Sequence, residues 1–222
     1  MHKVTPKDLG LRCVCQFPAP QLYNDGLISG FISAAQAEFS SYGFGPQNVS
    51  KIEGDRLFSY VVSISLFNGN AGFILGRDSL QINILNGQTL RDVALIKELL
   101  DKGLNCVPNL KGFTLRMAAT CHAVFPDETD VEKYFKTIVI ADGPVRQTGA
   151  TVMSADPGEA MLQPGDRTRL DLAISEVHRN AVFMAYHFTT QHLPTKEFWD
   201  GLSPKLDSLA GSFGVDVVPL PP

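Results

Sequence analysis

The side chains most able to do chemistry in this chain are the cysteines Cys13, Cys15, Cys106 and Cys121 and the histidines His122, His178, His187 and His192. Cys121-His122 offers the thiol and imidazole of a nucleophilic dyad. In an extended strand, however, adjacent side chains point to opposite faces and cannot meet. The pair therefore reads as a core cysteine beside a surface histidine. Cys13 and Cys15 do share a face, but it is the apolar one, where a thiol packs as a small hydrophobe. A zinc site needs a tight pair of ligands twice over, and the chain has no CxxC spacing. Free thiols are expected, with no metal and no cofactor. His178, His187 and His192 lie in or beside one strand, without a further ligand of assignable position, and read as surface histidines.

Gly69, Gly72 and Gly76 lack the spacing and the following Lys-Ser/Thr of a phosphate loop, and suit hairpins and bulges instead. Lys111-Gly112-Phe113 opens like an RNA-recognition strand whose aromatics stack on bases, but Thr114, Leu115 and Ala118 leave that pattern. Asp166-Arg167-Thr168-Arg169 mixes both signs and reads as a solvated turn. No triad, metal cluster or nucleotide loop emerges, so no catalytic residue is assigned. Arg12 and Arg116 remain, each on the polar side of an alternating segment. With His122 they are the candidate partner-binding residues.

The elements that position these residues are read from periodicity. Leu9, Leu11, Cys13, Cys15 and Phe17 alternate with Gly10, Arg12, Val14 and Gln16, which predicts a strand over 9–17 ended by Pro18 and Pro20. Leu27, Ile28, Phe31, Ile32, Ala35 and Phe39 recur at helical spacing within 20–40. A strand over 56–67 follows, then the turn Asn68-Gly69-Asn70 and two short strands over 71–77 and 79–86. Thr89 caps a second helix that Gly103 is expected to stop.

A long strand over 111–125 turns Phe113, Leu115, Met117, Ala119, Cys121 and Ala123 inward. Asp127 or Thr129 caps a short helix containing Val131, Tyr134, Phe135 and Ile138. Strands are expected over 147–155 and 158–163, at Leu170 to Ile174, and over 180–190. The final helical region carries Phe198, Trp199, Leu202, Leu206, Leu209 and Phe213, interrupted at Ser203-Pro204 and ended by Gly214, with a loose tail at Pro219 to Pro222.

The expected fold class is α+β, and the two stretches 1–108 and 109–222 share one element order within a single structural unit. Phe17-Pro18 returns as Phe125-Pro126, and Leu11-Arg12 as Leu115-Arg116. If the halves repeat, their strands join in one curved antiparallel sheet with helices on one face, as in TBP-like or helix-grip folds. Arg12 and Arg116 then emerge on the bare face. The opening that ends in Phe-Pro, the Leu115-Arg116 strand and the last strand-helix pair resemble a sporadically distributed family of uncharacterised bacterial proteins. That resemblance implies a bacterial origin and brings no activity or catalytic residue.

The chain has 222 residues, 44% hydrophobic and 19% charged, with a formal net charge of −4. This is ordinary globular composition, with no sequence-wide basic field to attract phosphate backbones or anionic lipid. No apolar run approaches the roughly 18 residues of a membrane span, and no leader is visible at Met1 to Gly10. A cytoplasmic protein is expected. Its leading function is non-catalytic binding or regulation through the sheet face, with a protein partner or self-association and without nucleic acid or membrane. The rival is a small-ligand-binding protein or enzyme with a pocket between the sheet and the Trp199 helix.

Overall fold

The computed structural model describes residues 1–22, 24–53, 59–107, 112–126, 131–138, 145–147, 153–155, 166–192 and 196–222. The first half supplies β1 (His2–Gln16), α1 (Asp25–Phe39), β2 (Val49–Glu53), β3 (Tyr60–Leu66), β4 (Ala71–Gly76), β5 (Ser79–Gly87) and α2 (Leu90–Asn105). The second supplies β6 (Thr114–Val124), α3 (Val131–Thr137), β7 (Val145–Gln147), β8 (Met153–Ala155), β9 (Arg167–Ile174), β10 (Ala181–Thr190) and α4 (Lys196–Ser212), then a short β11 (Val215–Val217). The strands form one open sheet in the order β2-β3-β4-β5-β1-β6-β10-β9-β8-β7, with β11 beside β1. The two halves therefore meet along β1 and β6. Among the described residues only the β1–β11 ladder is parallel. The fold is α+β, a curved antiparallel sheet with its helices on one face.

Alternation explains which face is covered. In β1, Leu11, Cys13 and Cys15 are buried while Arg12 and Gln16 are exposed, and in β6 Leu115 and Met117 are buried while Arg116 is exposed. The helices close over the inward series. Phe39 of α1 stacks on Phe73 of β4, with ring centres 4.8 Å apart. Phe198 of α4 meets Phe188 of β10 edge-on. The Tyr134 hydroxyl of α3 donates to the Phe213 carbonyl at 2.7 Å.

Local chemistry sets the helix starts. The Asn24 side chain accepts from Gly26 N–H at α1, which begins at Asp25, later than the expected start at 20. At α2 the Thr89 hydroxyl accepts from Asp92 N–H at 3.2 Å, and the Asp92 carboxylate accepts from Thr89 N–H at 2.8 Å. That reciprocal pair satisfies two amides with no partner inside the helix. The Phe-Pro repeats hold matching positions: Phe17 N–H donates to the Asp78 carbonyl before β5, and Phe125 N–H to the Asn180 carbonyl before β10.

Several expectations are corrected. Gly103 does not stop α2, which runs on to Asn105. Its missing side chain lets the helix lie against the sheet, since a Cβ there would overlap the Phe73 ring and stand 3.0 Å from Ile82 Cδ1. Pro204 does not interrupt α4, which runs through it from Lys196 to Ser212. The tail is tied down, because Leu90 N–H donates to the Pro221 carbonyl at 2.9 Å. Asp166 and Thr168 are buried, at 2% and 5% exposure, and β9 begins at Arg167, so this run is strand and not solvated turn. The strand expected over 147–155 is represented by β7 and β8, two antiparallel partners. The strand at 158–163 and the cap at Asp127 or Thr129 lie outside the described residues.

Candidate functional site

Three places in the fold bring chemistry together. The first is the bare face of the sheet. Arg12 pairs with Ala118 across the β1–β6 seam, and Val14 with Arg116. The two arginines are thus diagonal neighbours on adjacent strands, a relation that ordinarily spans about 7–8 Å. The row through Arg12 continues to His187 and Arg169, and the row through Arg116 to Thr189 and Arg167. All four arginines are exposed. Arg12 Nη2 donates to Gln81 Oε1 at 3.4 Å, and neither Arg12 nor Arg116 meets an acid among the described residues. On these rows and the next, the one carboxylate among the described residues is Asp171, already engaged by Arg169 at 2.9 Å and His187 at 3.2 Å. Burial holds the His187 imidazole below its ordinary value.

The second place joins three segments at one end of that face. Asp8 has a positive φ of 52° in a bulge of β1, where the register slips against both neighbours. Its carboxylate pairs with His178 Nε2 and accepts from Gln88 Nε2 at 2.9 Å. The His178 contact, and then the Gln88 contact, hold the Asp8 carboxyl below the usual aspartate range. The His122 ring lies 5.0 Å from that of His178, and its Nδ1 stands 2.9 Å from Ser175 Oγ. Burial, and then the His178 charge, hold the His122 imidazole below its ordinary value.

Carboxylate, two imidazoles and a hydroxyl resemble the parts of a triad, but the serine is not free to attack. Ser175 Oγ accepts from Val177 N–H at 3.2 Å and from His178 N–H at 2.9 Å. These two backbone bonds make the hydroxyl the fastener of a turn. No group of three metal-ligating side chains occurs among the described residues.

The third place lies on the helix-covered side. A cavity of about 410 Å³ opens between the middle of the sheet, α2, α4 and the C-terminal tail. Leu9, Leu11, Ala119 and Phe188 form its floor, Val93 and Ile96 one wall, Trp199 and Leu206 the other. Its lining is largely apolar. The Trp199 indole N–H is buried and meets no acceptor among the described residues. Lys97 Nζ sits 5.4 Å from the centre of the Trp199 ring, and an exposed Asp207 marks the rim.

No family model matches this chain, and no curated protein matches it either.

Arg12, Arg116 and His122, singled out from the sequence, all lie on the bare face. Cys121 points away from His122 and is buried, as are the other three cysteines, and all four are free. Burial raises the thiols of Cys15 to about 11 and of Cys106 and Cys121 to about 12, and pushes Cys13 well up. Phe113 is buried at 5% exposure, so it cannot stack on a base. Sequence reasoning missed Asp8 and Lys97. Asp8 stands in an alternating strand with no local signal beyond its own helix- and strand-averse residue type.

Proposed function

We propose that this protein is a non-catalytic binding or regulatory protein whose bare sheet face docks an acidic segment of a protein partner. The observation that carries the reading is the concentration of Arg12, Arg116, Arg167 and Arg169 on neighbouring rows of one face, in a chain whose formal net charge is −4. Like charges set side by side repel unless a partner neutralises them. Acidic protein fits better than nucleic acid, because these rows hold no Trp or Tyr on which bases could stack. The fastened Ser175 supports binding over catalysis.

Co-purification from the native source tests the reading, comparing the natural chain with an Arg12→Glu/Arg116→Glu variant and an Arg12→Lys/Arg116→Lys variant. A stoichiometric partner should be held by the natural and lysine forms and lost by the glutamate form. A partner retained by the glutamate form, or self-association alone, refutes it.

Within the same proposal, the halves 1–108 and 109–222 descend from one duplicated unit. The matched Phe17 and Phe125 hydrogen bonds and the repeated element order support this. The Leu-Arg match needs a different displacement along the chain from the Phe-Pro match, so the two cannot belong to one repeat. On the Phe-Pro alignment Arg12 corresponds to Thr120, and Arg12 and Arg116 are neighbours across the seam without being counterparts. Four free thiols fit a reducing, cytoplasmic setting.

A further inference from the structure

We infer that the cavity beneath α2 and α4 is a binding site for one small amphipathic carboxylate, its apolar body on the sheet floor and its head group at the Lys97 ammonium. The inference concerns the side of the sheet opposite the arginine face and stands independently of the docking proposal.

Size comes first. A dry apolar cavity of about 150 Å³ accepts benzene, so on that scale about 410 Å³ suits a molecule of roughly twelve to sixteen heavy atoms. It also falls within the usual range for small-molecule pockets, which is about 300–1,000 Å³. The floor and walls supply only apolar contact over most of their area, through Leu9, Leu11, Ala119, Val93 and Leu206. A fully polar ligand would lose its hydration there without return.

The head group is set by one charge on the wall beside Trp199. The Trp199 ring carries the Lys97 ammonium over its face. An acceptor beside that ammonium meets a positive charge at the edge of an apolar surface, which selects a carboxylate over an alcohol. Asp207, exposed on the rim, repels an anion from its own part of the mouth and orients the ligand with its head toward Lys97.

Decanoate, with twelve heavy atoms, is the probe, and Trp199, the sole tryptophan, is the reporter. Below its micellar concentration, decanoate titrated into the purified chain should saturate at one molecule per chain and shift the indole emission. Calorimetry should give the same stoichiometry. Ala119→Phe fills the floor and should weaken binding at least tenfold while unfolding cooperatively as the natural chain does. Should that variant fail to fold, Val93→Phe fills the space from α2 and is read the same way. Lys97→Met should weaken decanoate about tenfold and leave decanol unchanged. Three results overturn the inference: no saturable binding of decanoate, undiminished binding by a folded cavity-filling variant, or decanol binding as tightly as decanoate with Lys97→Met without effect.

Discussion

Replacing Gly103 by alanine sets two known effects against each other at one atom. Gly103 sits inside α2, where alanine is favoured over glycine by about 0.8–1.0 kcal/mol through backbone entropy. Against this, the new Cβ would overlap the Phe73 ring, with Cδ1 at 2.9 Å, and would stand 3.0 Å from Ile82 Cδ1. Phe73 cannot swing aside, because it is 1% exposed and stacked on Phe39. Overpacking of this kind costs about 1–3 kcal/mol. The overlap involves a rigid ring held on its far side, which places the cost toward the upper end. Gly103→Ala should therefore destabilise by about 1–2 kcal/mol net in urea unfolding, read as a lower midpoint at unchanged slope. Gly30 in α1 is the control. A Cβ there meets nothing within 4 Å, so Gly30→Ala should stabilise by up to about 1 kcal/mol. If Gly103→Ala stabilised as much as Gly30→Ala, the close approach of α2 to the sheet would be wrong.

Two further outcomes follow from the titratable groups. With all four thiols buried and their ionisation raised, a colorimetric thiol reagent at pH 8 should find none reacting quickly in the folded chain and four after denaturation; a fast thiol in the folded chain would contradict that burial. His122 is held below its ordinary 6.5 by burial and by His178, so the unfolded chain takes up this proton first as pH falls. The stability it contributes is present above about 6.5 and declines on acidification toward the folded value. His187 acts in the same direction, while Asp8, lowered from 3.8, adds its loss only in stronger acid. The unfolding midpoint should therefore fall between pH 7 and pH 5, and His122→Gln should flatten part of that slope. A midpoint that rises on acidification, or a slope untouched by His122→Gln, would contradict the assignment.

Elements with strong local patterns were legible in the sequence. The alternation around Cys13 and Met117 placed both central strands and correctly turned Arg12, Arg116 and His122 outward, and Thr89 marked its helix start. What escaped depends on contacts distant in the chain. Residues 2–8 of β1 carry Lys3, Thr5, Pro6 and Lys7 and look polar, yet Val4 is wholly buried once neighbouring strands pair there. β11 is three residues long and acquires its strand character from β1. Gly103 and Pro204 carry residue types that usually end or break helices, and tertiary packing overrode both. The Asp8–His178 pair joins residues at opposite ends of the sequence, and the cavity exists only where two helices and the tail fail to fill the space between them.

The β1–β6 seam also governs what happens when the chain comes apart. Each half keeps as its outermost strand the one that belongs at the centre of the finished sheet, with inward residues such as Cys13, Cys15, Leu115 and Met117 at 2% exposure or less in the intact protein. Severed between α2 and β6, the halves would each present a long unpaired edge backed by apolar surface, the kind of edge that recruits another strand. The complement of each edge is the other half, so mixed fragments should reassemble. At high concentration, intact chains opened at this seam could exchange halves and close as a swapped dimer, with every ladder of the monomer preserved.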